Sequence, residues 1–222
     1  MILKRDIRDL LIKSLEKMIN TVRINLILGK KCINCSSWIE FLSEIAYIAD
    51  GKINFKCTMM NKKIEKALGV DKGPVILLGD KGEVRYTGSP SGEELKSFID
   101  TLVMLSTKKH GLNHYVKDLR SLNRTVRIET IVTPSCPYCV HSVMIANKIA
   151  IASRGKVISD VINAYEFPEI AEKWSISKVP TTVLSIRKPY SGEVLTVGIP
   201  DEDFIVKTVI RKGKLIEIPT LG

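Results

Sequence analysis

The chain repeats itself. Residues 21–25 read TVRIN and residues 125–129 read TVRIE. The same offset of 104 carries Cys32 onto Cys136 and Cys35 onto Cys139, so a strand-like tetrapeptide and a Cys-x-x-Cys pair recur in one register. Repetition of this kind means that one structural pattern is used twice, and it limits the folds open to the chain. Each half opens with apolar residues at helical spacing (IRDLLIKSLEKMIN; LNHYVKDLRSLNR). After each cysteine pair come a helix, a short strand (KINFKCTMM; KVISDVINA) and a charged helical stretch (KKIEKALGV; PEIAEKWSI). An X-Pro step then enters an apolar strand (GPVILLG; VPTTVLSI), followed by another strand (EVRYTG; EVLTVG) and an amphipathic helix (GEELKSFIDTLVML; DEDFIVKTVIRK). Strands alternating with helices predict an α/β chain of two tandem units, each a mixed, mainly parallel sheet flanked by helices, with the tight last strand pair as an antiparallel edge. The joint falls near STKKHGLN, which gives units 1–111 and 112–222.

Composition narrows the function classes. With 222 residues, 45% hydrophobic and 26% charged, the chain can bury two cores and is not disordered. Charge interrupts every long apolar stretch, so nothing reaches the roughly 20 residues that span a bilayer. Asp6, Asp9 and Glu16 break the amino-terminal apolar residues, so MILKRDIRDLLIKSLEKMIN reads as an amphipathic helix and not as a secretory signal. These features predict a cytoplasmic protein without a membrane partner. The net charge of +10 divides into 19 basic against 13 acidic residues in 1–111 and 15 against 11 in the rest. Such an even spread, without aromatic-basic alternation, argues against nucleic acid as a partner.

The cysteines carry the chemistry. A disulfide-stapled secreted domain would be smaller and richer in cysteine, so two close pairs and the single Cys57 point to redox or metal chemistry. RIETIV reads as a strand, Thr133-Pro134-Ser135 as a turn and CVHSVMIANKIAIAS as a helix. Cys136 then lies at a helix N-terminus, where free N–H groups and the macrodipole favour a thiolate. Pro137 loses no hydrogen bond there. Cys139, three residues on, shares its face and is within disulfide reach, with the inner sulfur sheltered. Attack at Cys136 gives a mixed disulfide that Cys139 resolves. A zinc site is the alternative, but the usual ribbon places its cysteine pairs some 15 to 20 residues apart, far closer than these. Cys32 and Cys35 fit the same geometry without the proline, and Lys30 and Lys31 add thiolate stabilisation. A merely structural first pair stays open.

Other residues complete two candidate sites. The strand entered by Val179-Pro180 lies beside the sulfur-bearing helix start; a cis bond there would leave the Val179 backbone free to pair with an extended substrate. Gly73-Pro74 occupies the matching place in the first half. Glu129, a polar residue in a strand expected to be central, reads either as a proton shuttle to the inner thiol or as an ion-paired structural group. Its repeat partner is Asn25. Cys57 reads as a buried, inert thiol.

These residues carry a resemblance. CPYC after a strand resembles the glutaredoxin active site, and AEKWSISKVPTTVL resembles the thioredoxin approach to its cis-proline strand. Two such units in one chain resemble the protein disulfide oxidoreductases of thermophilic archaea and bacteria. The resemblance implies two thioredoxin-fold units that reduce, form or isomerise disulfides in protein substrates without a bound cofactor. It implies Cys136 and Cys32 as nucleophiles, Cys139 and Cys35 as resolving thiols, and Pro180 and Pro74 as cis-prolines. It also implies a thioredoxin-reductase-like flavoprotein and peroxiredoxins as partners. The alternatives are an electron-transfer module serving a peroxidase and a zinc-binding or scaffold protein on a decayed thioredoxin fold.

Overall fold

In a computed structural model, residues 5–29, 32, 35–186 and 191–214 are described. Lys30 and Lys31, the expected thiolate stabilisers of the first pair, lie outside the described residues. The first half runs α1 (Arg5–Leu15), β1 (Val22–Leu28), α2 (Cys35–Ile48), β2 (Ile53–Met59), α3 (Lys62–Leu68), β3 (Val75–Leu78), β4 (Val84–Thr87) and α4 (Glu94–Thr107). A 3-10 turn (Asn113–Tyr115) precedes the second: α5 (Val116–Arg120), β5 (Val126–Val132), α6 (Cys139–Ser153), β6 (Val157–Asn163), α7 (Pro168–Lys173), β7 (Thr181–Ile186), β8 (Ser191–Val197) and α8 (Glu202–Gly213). The repeat holds in the pairing: Val22 faces Ile53 and Val126 faces Val157, the same partners displaced by 104. Among the described residues no helix is long and apolar enough to cross a membrane.

The expectation of mainly parallel sheets needs correction. β1 and β2 pair in parallel, but β3 runs antiparallel to β1 and β4 antiparallel to β3; the second half repeats this with β5 to β8. Helix length explains it. A seven-residue strand is about 23 Å long. The 14 residues of α2 cover about 21 Å and can return the chain to the strand's starting end. The seven of α3 cover only about 10 Å, so the chain re-enters the sheet near the end it left.

The expected edge strand β4 is not an edge. All eight strands form one sheet in the order β2-β1-β3-β4-β6-β5-β7-β8, and β4 joins β6 in parallel across the two halves. Every residue of β4 is buried. The largest core cluster follows suit, combining Leu26, Ile76 and Phe98 of the first half with Val132, Val143 and Val161 of the second.

A buried ion-pair ladder fixes this junction. Arg85 on β4 faces Asp160 on β6, which faces Glu129 on β5. Asp160 is fully buried, pairs with Arg85 at 2.8 Å and with Arg127, and accepts a 2.7 Å bond from Thr87 Oγ1. Arg85 Nη2 also donates to the Leu68 carbonyl at 2.7 Å. Burial lowers the Arg85 guanidinium to about 10, against the opposing pull of Asp160. Removing one partner of such a pair strands a buried charge, which costs about 3–5 kcal/mol. Asp160→Ala is therefore expected to lose about that much stability in denaturant unfolding, while a loss typical of an exposed ion pair would show that the ladder does not hold the halves together.

Candidate active site

Both cysteine pairs sit where the parallel strand of each half ends. β5 delivers the chain to Thr133, whose carbonyl accepts from the Cys136 amide at 3.1 Å; the Cys136 carbonyl accepts from the Cys139 amide at 3.2 Å. Cys136 thus lies in the turn before α6, and the helix itself begins at Cys139. The two are joined as a disulfide with Cα atoms 5.5 Å apart. Cys136 is 8% exposed and Cys139 not at all, so the inner sulfur is sheltered by the chain. Cys32 and Cys35 form the matching disulfide before α2, again 5.5 Å between Cα atoms. Both of these are half-buried, so the first inner sulfur lacks the cover that Cys139 has.

The proline positions repeat as well. Gly73-Pro74 and Val179-Pro180 are both cis, and each leads into a strand paired with the one that precedes the cysteines. The Pro74 carbonyl accepts from Gly88 at 2.9 Å and the Pro180 carbonyl from Gly198 at 2.8 Å. Val179 is half-buried and Pro180 buried. In the first half the backbones approach more closely still. A Cβ on Gly29 would stand 2.1 Å from the Gly73 amide nitrogen, and one on Gly73 would stand 2.6 Å from that of Gly29. Side chains at either place would push the proline loop away from the end of β1.

Here one open alternative narrows and one expectation is corrected. Glu129 has the burial and the raised pKa foreseen for a shuttle, burial outweighing the nearby Arg127. Its placement is wrong for that role. Val126 and Ile128 pack with the α6 residues Ala146 and Ile149, while Ile131 packs with Phe167 and Val183 on the α7 side. Alternation along β5 puts Glu129 on that second side, paired with Arg127 at 3.3 Å, so it serves the junction ladder. Cys57 is exposed and not buried, because β2 is an outer strand of the sheet.

One residue escaped sequence reasoning. Glu94, in the first turn of α4, is 2% exposed; Oε2 accepts from Ser97 Oγ at 2.7 Å, and Oε1 has no partner among the described residues. Burial pushes its carboxyl up to about 7, against the lowering effect of Ser97. α4 and α6 follow strands that point the same way, so the two helices run parallel. Thr101 meets Met144 and Asn147, and the Glu93 amide donates to the Pro134 carbonyl at 3.0 Å. Seven residues before Thr101, Glu94 stands abreast of the first turn of α6, with Cys139. In sequence, Glu93-Glu94 is an ordinary acidic helix start, and only the packing of the other half makes it unusual. The same connector reaches the first site, since Trp38 Nε1 donates to Ser89 Oγ at 2.7 Å.

A carboxyl that titrates higher when folded binds more protons than the unfolded chain between about 4.5 and about 7. Stability falls as pH rises through that window. Glu94→Gln is expected to remove this part of the slope, seen in melting temperatures measured from pH 4.5 to 8. Parallel pH profiles for the two proteins would place the Glu94 carboxyl in water.

A sequence family described as thioredoxin domain matches residues 126–210. A thioredoxin of Methanocaldococcus jannaschii is 28% identical over 87 residues, 39% of this chain and 95% of that protein. The crystal structure of a protein disulfide oxidoreductase from Aeropyrum pernix superposes with a TM-score of 0.82 at 28% identity, covering 96% of this chain and 94% of that one. The alkylhydroperoxide reductase AhpF of Enterococcus faecalis gives a TM-score of 0.77 at 22% identity, over 94% and 99% of the two chains, and shares the fold.

Proposed function

We infer that this tandem thioredoxin-fold chain is a protein thiol–disulfide oxidoreductase, similar to the protein disulfide oxidoreductase of Aeropyrum pernix. The observation that carries it is the Cys136–Cys139 disulfide, whose outer residue keeps 8% exposure while the inner one, at a helix start, keeps none. That asymmetry is what dithiol exchange requires. A substrate thiolate attacks Cys136 Sγ, the bond to Cys139 breaks, and Cys139 leaves as the thiolate. In reverse, the Cys139 thiolate attacks Cys136 in a mixed disulfide and releases the substrate thiol. Units 1–111 and 112–222 each supply one such centre, with Cys32 as nucleophile and Cys35 as resolving thiol in the first.

Val179-Pro180 and Gly73-Pro74 act as the substrate-binding edges, where exposed backbone of an extended segment adds alongside the proline strand. Tyr138, 63% exposed inside the CPYC turn, offers that segment an apolar contact. The activity is assigned to the cytoplasm, with a thioredoxin-reductase-like flavoprotein to renew the dithiols and peroxiredoxins among the acceptors. Support for these partners comes from the resemblance of the two cysteine motifs.

The sheltered pair is expected to dominate turnover, with a potential between about −270 and −180 mV. Cys136→Ser should remove most of the reduction of insulin disulfides and Cys32→Ser a smaller part; equal losses would contradict the ranking. Cys139→Ser, unable to resolve its intermediates, should accumulate mixed disulfides with partner proteins in cell extract. Zinc bound at the cysteines, or thiols inert in the folded protein, would overturn the redox reading altogether.

A further inference from the structure

The two halves share a backbone register, and one layer of side chains changes in polarity between them. In the first half, Leu26, Ile76 and Tyr86 lie side by side on β1, β3 and β4. At the matching places of the second half stand Thr130, Thr182 and Thr196, side by side on β5, β7 and β8. The helix above changes in the same sense, from Trp38 on α2 to Ser142 on α6, at the offset of 104. An apolar and aromatic layer has become one of four hydroxyls.

That layer lies directly under the second cysteine pair. Along β5, Ile128, Thr130 and Val132 point to one side of the sheet. Val132 clusters with Cys136 and Cys139, and Ile128 with Ala146, Ile149 and Leu184. On α6, Cys139, Ser142, Ala146 and Ile149 are spaced by three or four residues and form one stripe. Thr130, Thr182 and Ser142 therefore occupy the level between the inner sulfur and the apolar core. Thr130 is fully buried, and Ser142 and Thr182 are each 2% exposed. The hydroxyls of all three, and that of Thr196, have no hydrogen-bond partner among the described residues. Elsewhere in the interior, Thr87, Ser97, Thr101, Ser153 and Ser159 are all bonded.

Buried hydroxyls without partners are costly, and valine would fill a threonine site without that cost. Several unpartnered hydroxyls on one buried level are what an internal water needs, since such waters make about three hydrogen bonds. We propose that Thr130, Thr182 and Ser142 hold a water beneath Cys139, and that this water donates a hydrogen bond to the Cys139 sulfur when it is a thiolate. The inference rests on Cys136–Cys139 being a working redox pair. During exchange, a substrate thiolate bonds to Cys136 Sγ and the electron pair of the broken disulfide leaves on Cys139 Sγ. The water stabilises that charge with one O–H, its oxygen accepts from two of the hydroxyls and its other O–H goes to the third, and no proton changes hands. Thr130, Thr182 and Ser142 are positioning residues that act through the water. Cys35, above Leu26, Ile76 and Trp38, has solvent for this purpose instead.

The test reads the inner thiol itself. With Cys32, Cys35, Cys57 and Cys136 replaced by serine, Cys139 is the single thiol and its Cβ chemical shift reports its titration. Glu94 at the start of α4 is the titratable group beside it; β7 has none, and Arg127 and Glu129 lie on the other side of β5. Glu94 is kept in every variant. Thr130→Val, Thr182→Val and Ser142→Ala are each expected to raise the midpoint by about one pH unit, a tenfold smaller thiolate fraction below it. If one variant fails to fold, the other two decide. Unchanged midpoints in the folded variants would overturn the proposal. The readout needs no turnover, so a chain inactive on insulin would refute the oxidoreductase reading and leave this result standing.

Discussion

The contact on which the rest depends is the parallel pairing of β4 with β6, locked by Arg85 and Asp160. In isolation each half would end in two free strands, and an uncovered strand edge invites association. Joining β4 to β6 removes two such edges and leaves β2 and β8 as the outer strands. Hydrophobic burial alone would allow the two sheets to meet in more than one register. A register shift of one residue would turn Arg85 away from Asp160 and leave its buried guanidinium without a carboxylate. The ion pair thus contributes less to total stability than to the choice of a single alignment, and Glu129 and Arg127 extend the same constraint to β5.

That alignment has consequences for both redox centres. It sets α4 of the first half against α6 of the second, so that Glu94 becomes buried beside the turn carrying Cys139. It also makes residues 88–93 a physical bridge. Ser89 accepts from Trp38, three residues after Cys35, while its own amide donates to Glu166 at 2.9 Å and Glu93 donates to Pro134. One continuous core runs from Trp38, three residues after Cys35, to Cys136 and Cys139. The two centres are not equivalent: the second is buried, and the first lies nearer to solvent.

Much of this was legible in the sequence because it depends on local pattern. Periodicity gave the element order, and the 104-residue offset gave the strand register, since β1–β2 and β5–β6 pair with identical displacement. The cysteine pairs and X-Pro steps were readable from spacing alone. What failed to read through depends on partners distant in the chain. Glu129 was conspicuous as a polar residue in a central strand, but its side of the sheet is fixed by Arg85 and Asp160, which no local signal links to it. β4 looked like an edge because its neighbour β6 lies some 75 residues further along the chain. Cys57 looked buried because β2 reads like β6, and only the sheet order distinguishes an outer strand from an inner one. The brevity of α3 and α7 was visible, yet its effect on strand direction appears only when helix rise is set against strand length.

The same row of the sheet shows how a repeated backbone can carry two chemistries. Backbone pairing constrains where side chains stand, and it says little about what they are, provided that volume and burial are respected. Leu26 and Ile76 can give way to Thr130 and Thr182 without moving a strand, because β-branched threonine also suits a pleated surface. The substitution makes the layer under the cysteines more polar and, with Trp38 replaced by Ser142, less filled. Tyr86 keeps a hydroxyl in the first half, but that oxygen is held by Asn147 at 3.2 Å and belongs to the junction. In the layer below each sulfur, a change of polarity acts on the inner thiol while the shared strand register stays as it is.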